Sequence, residues 1–221
     1  MLSEVGINGL NALISLALPP ICLLCKCECE QGRDLCSLCH SRALEAAPLI
    51  ESGVRGVGFV VAGGSYAGVA GDLVRALKFS RHLRAAKEAA GLIERAISRL
   101  HPSLLDTSPA IVPVPPSPGR WMARGFDSAE ETALELSRQL DLPFRPALER
   151  THGPRQTGRG RAQRLADPPV VALPAEAELP GSSVLIVDDV FTTGTTLAAC
   201  AGPLLEAGVS EVSAACIARA G

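Results

Sequence analysis

Ser183-Val184-Leu185-Ile186-Val187-Asp188-Asp189-Val190-Phe191-Thr192-Thr193-Gly194-Thr195-Thr196 is the stretch that decides how this chain is organised. Residues 183–187 read as a fully apolar buried strand. Its four aliphatics, Val184 to Val187, deliver two adjacent carboxylates to the strand's carboxyl end, which is where ligands dock in open α/β sheets. Thr192, Thr193, Thr195 and Thr196 then surround Gly194 at the start of a helix. Gly194 lets backbone N–H groups approach an anion, the hydroxyls add donors, and the helix N-terminus adds a favourable dipole. A phosphate ester fits this donor set. Asp188 and Asp189 would repel that phosphate, so they face another part of the ligand: vicinal ribose hydroxyls, or waters on a bound magnesium ion. A simple helix cap needs only one Thr or Asp, not this coincidence of strand, acid pair, glycine and four hydroxyls. The stretch is neither a Walker loop, since no Gly-Lys-Thr occurs, nor a Rossmann fingerprint.

The flanking sequence predicts a helix over 195–207 closed by Gly208, then a final strand over 209–218. Strand, helix and strand in short succession argue for a parallel sheet. Upstream, residues 53–64 read as a turn and a strand centred on Phe59, Val60 and Val61. Residues 41–50 look helical, and 72–100 has helical spacing, with Leu73, Val74 and Leu77, then Leu92, Ile93 and Ile97 on its apolar face. Residues 111–114 form a short buried strand running into a proline-rich loop. Ser128–Leu140 is an amphipathic helix with Leu134 and Leu136 inward. Residues 150–164 hold five arginines, His152 and three glycines with no acid. Nothing there can anchor to a core, so a mobile loop is expected.

The 221 residues suffice for one α/β domain with an appendage, or for two small domains, and 47% hydrophobic content with 3% aromatic implies a largely aliphatic core. A net charge of −2 excludes wholesale electrostatic capture of nucleic acid, so any polyanion site is local. The stretch before Pro20 has no Lys or Arg, carries Glu4 and is interrupted. It reads as an amphipathic helix stopped by Pro19-Pro20, not as a signal peptide or a membrane span, and a cytoplasmic protein is expected.

Six of the eight cysteines lie within 22–39. One dense cluster on a longer chain is not a secreted disulfide scaffold. Cys22-x2-Cys25 and Cys36-x2-Cys39 have the spacing of two zinc knuckles, each offering two thiolates to one tetrahedral ion. Four protein ligands close such a site to substrate, so its role would be folding or docking. Cys27 and Cys29 offer alternative ligands, and His40 a fifth candidate. Free buried thiols and an Fe–S cluster are the competing readings. Cys200 and Cys216 read as small core residues.

The stretch 184–196 resembles the phosphoribosyl-pyrophosphate signature of class I phosphoribosyltransferases. A four-cysteine knuckle ahead of it resembles the ComF family, associated with natural competence and DNA uptake. Pro20-Ile21-Cys22-Leu23-Leu24-Cys25 and Leu35-Cys36-Ser37-Leu38-Cys39 match that family's knuckle. Tyr66 with Leu77-Lys78-Phe79, then Val112-Pro113-Val114-Pro115 with Arg120 and Arg124-Gly125-Phe126, look like its next motifs. Arg150-Thr151, Gln156 and Arg164 match the fourth motif, and 188–196 the fifth. Two departures occur: Asp127-Ser128 stands where the family usually has Asn-Gln, and Asp167 where it has Asn.

The resemblance implies an α/β fold, a class I phosphoribosyltransferase-like parallel sheet with flanking helices over 51–221, preceded by a small four-cysteine zinc-knuckle module within 1–50. It implies that Asp188 and Asp189 orient the ribose as the catalytic acids, and that Thr192, Thr193, Gly194, Thr195 and Thr196 hold the 5′-phosphate. Arg120 and Arg124 follow a strand end where pyrophosphate would sit, and Lys78 is placed to reach a phosphate unless it belongs to a solvated helix face. The arginine-rich stretch would close as a lid that excludes water. The implied reaction displaces magnesium-bound pyrophosphate from ribose C1, with electrostatic stabilisation carrying most of the rate; no obvious general base appears. The alternative is a non-catalytic sensor or scaffold whose knuckle and arginine loop contact single-stranded DNA or competence helicase and processing proteins. Aromatic residues for strand stacking are scarce, which weighs against it.

Overall fold

The computed structural model describes residues 20–80, 83–116, 125–150, 169–177 and 181–221. The helix expected before Pro20, Arg120, Arg124 and the arginine-rich stretch beyond Arg150 lie outside them. The chain divides into two compact units, Met1–Glu45 and Ala46–Gly221.

In the amino-terminal unit, two turns are laced by backbone bonds: Cys22 N–H donates to Cys27 O at 2.7 Å, Lys26 N–H to Cys22 O at 3.1 Å, and Leu23 N–H to Asp34 O at 2.9 Å. Helix α1, Ser37–Leu44, follows, and the Cys36 sulfur caps it by accepting the Cys39 N–H. The helix expected over 41–50 is therefore earlier and shorter.

The second unit contains β1 (Leu49–Glu51), β2 (Val60–Ala62), α2 (Val69–Ser80), α3 (Ala85–Leu100), a 3-10 turn (Pro102–Thr107) and β3 (Ala110–Pro113). These are followed by α4 (Ser128–Leu140), β4 (Glu149–Arg150), β5 (Val171–Ala172), β6 (Ser183–Phe191), α5 (Thr195–Glu206) and β7 (Glu211–Arg219). Five strands form one sheet in the order β1-β2-β7-β6-β3, and β4 and β5 form a separate pair. Only β1 runs antiparallel in the larger sheet. The parallel-dominant sheet with flanking helices is the architecture expected from the strand–helix–strand pattern.

The sheet's two faces follow from the alternation of side chains along a strand. Val184 and Ile186 of β6 and Val212, Ala214 and Cys216 of β7 pack with Leu197, Cys200 and Leu204 of α5. The alternate residues Leu185 and Val187 point the other way and are fully buried. That face is covered by α4, which packs on β3 and β6, and by α2 and α3, which pack on β7.

Residues 72–100 form two helices, not one. Leu83, between them, is 46% exposed, so no continuous apolar stripe holds the segment together. Helix α4 has the expected bounds, but its buried face is Ala129, Thr132, Ala133, Leu136 and Ser137, with Leu134 only half-buried. Strand β6 runs four residues beyond Val187, carrying both acids within the sheet.

One glycine sets how α2 sits. A Cβ on Gly71 would lie 1.8 Å from the Tyr66 carbonyl oxygen, so the helix approaches that backbone closer than any side chain permits. Helix propensity alone would make Gly71→Ala stabilising by about 1 kcal/mol. We expect the opposite sign, a loss of about 1–3 kcal/mol by urea unfolding, because the backbone must move. A neutral or stabilised variant would refute this seating of α2.

Candidate functional site

Strand β3 ends opposite Val187, where Pro113 pairs with it and Val114 N–H donates to Val187 O at 2.9 Å. Beyond that point β6 keeps, among the described residues, only its β7 neighbour, with Asp188 opposite Cys216. The two acids thus stand where the sheet opens on one side. Continuing the alternation, Asp188 lies on the α5 side with Val184 and Ile186, and Asp189 on the side of α2 and α4.

Asp189 is 7% exposed. Its Oδ2 accepts from Lys78 Nζ on α2 at 2.8 Å and from Ser128 Oγ on α4 at 2.8 Å. Its Oδ1 is buried and has no hydrogen-bond partner among the described residues. Ser128 opens α4, and Asp127 caps that helix by accepting the N–H groups of Ala129 and Glu130 at 3.0 and 3.2 Å. The positive end of α4 therefore approaches a buried carboxylate, a favourable arrangement.

Asp188 turns back on the chain, accepting the Asp189 N–H at 2.8 Å. Burial, and then the neighbouring Asp189 charge, push its carboxyl up from 3.8 to about 7, against the opposing pull of the Asp189 N–H and Lys78. Burial, followed by the Asp189 charge, also raises Asp127.

The threonine loop comes next. Gly194 adopts φ 78°, and a Cβ there would meet Val54 Cγ2 at 2.6 Å and the Phe191 ring at 3.1 Å. Glycine is required on both counts. The loop packs inward through Gly194 and leaves Thr192, Thr193 and Thr195 exposed. Thr193 and Thr195 hydroxyls touch at 2.9 Å. A small cavity of about 30 Å³ lies inside the loop, with Asp188 on its wall and residues from Phe191 to Leu197 around it. A larger groove of about 850 Å³ lies alongside, between α5 and the turn at Val54. That groove is lined mainly by glycine and apolar residues, with Arg55, Glu206 and the loop's own Thr193 and Thr195 at its wall.

The structure thus brings Lys78, Asp188 and Asp189 together at the foot of the loop formed by Thr192, Thr193, Gly194, Thr195 and Thr196. Lys78, expected at a phosphate, is paired with Asp189. Arg120 and Arg124 lie outside the described residues. Sequence reading missed Ser128 and Asp127 as neighbours of the acid pair. The Asp127-x-x-Glu130 pattern of a helix start was the available signal.

In the amino-terminal unit, the sulfurs of Cys22, Cys25, Cys36 and Cys39 all lie within 4.8 Å of one another, and only Cys25 is exposed. A tetrahedral zinc with Zn–S bonds of about 2.3 Å places its sulfurs about 3.8 Å apart, so the quartet fits one ion. Burial opposes a Cys22 thiolate, yet the N–H groups of Cys25, Cys36 and Leu24 outweigh it and bring the thiol down to about 6. Cys27 Sγ sits 3.1 Å from Cys25 Sγ but is exposed and outside the quartet.

Residues 124–221 match the phosphoribosyl transferase domain family. Together with the parallel sheet and the acid–threonine loop at its carboxyl edge, this defines a domain of phosphoribosyltransferase type. The chain is 32% identical over 156 residues to competence protein F of Haemophilus influenzae, covering 67% of each protein. It is 28% identical over 215 residues to the DNA utilization protein YhgH of Escherichia coli, covering 90% of each. A purine phosphoribosyltransferase from Pyrococcus horikoshii is similar at 26% identity with a TM-score of 0.35, over 57% of this chain and 72% of that one. The chain belongs to the ComF family.

The raised Asp188 carboxyl predicts how stability depends on pH. The folded protein holds this proton to about pH 7, whereas an unfolded aspartate releases it near 3.8. Asp188 therefore opposes folding increasingly as pH rises across that window. Asp188→Asn should melt higher than the wild type at pH 8, with the difference vanishing toward pH 4. Scanning calorimetry at the two pH values checks this, and a pH-independent difference would contradict it.

Proposed function

We propose that this protein binds 5-phosphoribosyl-1-pyrophosphate with magnesium at the Asp188–Asp189 and 192–196 site, in the cytoplasm, in the service of DNA uptake. One observation carries the reading: the buried Oδ1 of Asp189, without a hydrogen-bond partner among the described residues, on the strand that leads into a loop of N–H and hydroxyl donors. A buried carboxylate oxygen without a donor is costly, and a ribose hydroxyl would supply one. The loop offers what a 5′-phosphate needs, namely glycine-permitted N–H approach, hydroxyl donors and the start of α5. Asp188 and Asp189 would orient the ribose. In phosphoribosyl transfer, the bond from C1 to the pyrophosphate oxygen breaks, pyrophosphate leaves with both bonding electrons, and an acceptor atom bonds to C1. These residues would contribute orientation and charge complementarity, and no proton transfer is assigned to them.

The names of the relatives, one concerned with competence and the other with DNA utilization, support a role in taking up or using DNA. We further propose that Cys22, Cys25, Cys36 and Cys39 hold one structural zinc ion. The competing scaffold reading, with contacts to single-stranded DNA or competence proteins, gains no specific support from the described residues.

Titration calorimetry with phosphoribosyl pyrophosphate and magnesium tests the ligand. We expect binding by the wild type and about a tenfold or greater loss in Asp189→Asn, the scale of a hydrogen bond to a charged group. Equal heats from the two proteins would refute the proposal. Metal analysis of the purified protein should find about one equivalent of zinc, with the site lost in Cys36→Ser. Zinc-free wild-type protein that is folded would refute the metal assignment.

A further inference from the structure

Two donors from different helices converge on one oxygen of Asp189, while the other oxygen has none. Lys78 Nζ and Ser128 Oγ both lie 2.8 Å from Oδ2, and Oδ1 is buried without a partner. A carboxylate offers about four lone-pair directions over its two oxygens. Here the protein's side-chain donors take up one oxygen and leave the other.

Resting on the ribose-phosphate reading of the site, we infer that Lys78 is a positioning residue and not a phosphate ligand: with Ser128 it fixes the rotation of Asp189 and leaves Oδ1 as the oxygen without a protein donor, the one a sugar hydroxyl would take. The Lys78 side chain is 16% exposed, and its ammonium stands between α2 and the end of β6. Leaving for a phosphate would strip the cation from a cluster of carboxylates. Burial raises both Asp188 on β6 and Asp127 at the cap of α4, and the Asp189 charge raises them further. The Cys216 thiol of β7, opposite Asp188, is held neutral by burial. Among these groups Lys78 is the cation that offsets the acids. Ser128 completes the brace from the start of α4, at the position where this chain departs from the family's usual glutamine.

Ligand discrimination separates the two roles for Lys78. A positioning role predicts that Lys78→Met weakens phosphoribosyl pyrophosphate and ribose 5-phosphate alike, by about tenfold or more, and leaves inorganic pyrophosphate nearly unchanged. Lys78→Arg should recover most of the loss. Ser128→Ala, which keeps the ion pair and is the safer variant for folding, should repeat the pattern at about fivefold. If Lys78→Met weakens pyrophosphate as much as phosphoribosyl pyrophosphate, or spares ribose 5-phosphate, the inference is wrong.

A ligand-free measurement keeps this distinct from the proposed function. In protein labelled with carboxyl-13C aspartate, Lys78→Met should raise a site carboxyl's titration midpoint, because Lys78 pulls Asp188 down, and Lys78→Arg should restore it. Unmoved midpoints would overturn the inference. A wild type that binds neither sugar phosphate would sink the ribose-phosphate reading alone, and the titration would still decide whether Lys78 braces the acid pair.

Discussion

A carboxylate buried at a strand end needs partners, and Asp189 draws in two helices to provide them. Lys78 brings the last turn of α2 to it, and Ser128 brings the first turn of α4. Exposed ion pairs contribute little, but a buried pair that loses one member leaves an uncompensated charge. The seat of each helix therefore bears on the site. Gly71 lets α2 approach the Tyr66 carbonyl, and Asp127 caps α4 at the residue before Ser128. The raised Asp188 and Asp127 carboxyls show the cost of gathering acids in a place with little water.

Much of this fold was legible because its period is strongly expressed. The apolar run 184–187, ending in two acids and a threonine–glycine loop, reads as a buried strand, and Ser128–Leu140 carries a helical stripe. The cysteine quartet was legible through spacing alone, since two residues between thiols suit a chelating turn whatever the surroundings. The 72–100 segment was not, because helical spacing persists across a break that has no apolar anchor at Leu83. Leu134 was misassigned for a related reason: the face of α4 toward the sheet is built from alanine and threonine, small residues that hydrophobicity alone underrates.

The site was legible as a set of residue types but not as a set of pairs. Asp188 and Asp189 read from the sequence as one acidic dyad with one task. Alternation along a strand places them on opposite faces, and their surroundings differ accordingly: Asp188 turns to its own backbone, while Asp189 is held by α2 and α4. The partnership of Lys78 and Ser128 joins residues far apart in the chain and depends on how two helices land on the same strand. No local pattern encodes that landing.

The loop beyond the acids is braced from behind. Gly194 is wedged against Val54 and the Phe191 ring, Arg219 lies over that ring at 5.1 Å, and Glu51 holds Arg219 at 3.0 Å. The chain from β6 into α5 is thus fixed on its buried side by packing and by an ion pair, and the threonine hydroxyls project from the other. Donors held in this way need little reordering when an anion arrives, so less of the interaction is lost to entropy. The same reasoning extends to Asp189, whose free oxygen is held still by the protein's grip on its neighbour. On the proposed reading, phosphate cradle and hydroxyl acceptor would each be preformed by contacts within the protein. Their separation along the chain, from Asp189 to Thr196, is spanned by a backbone that packing has already shaped.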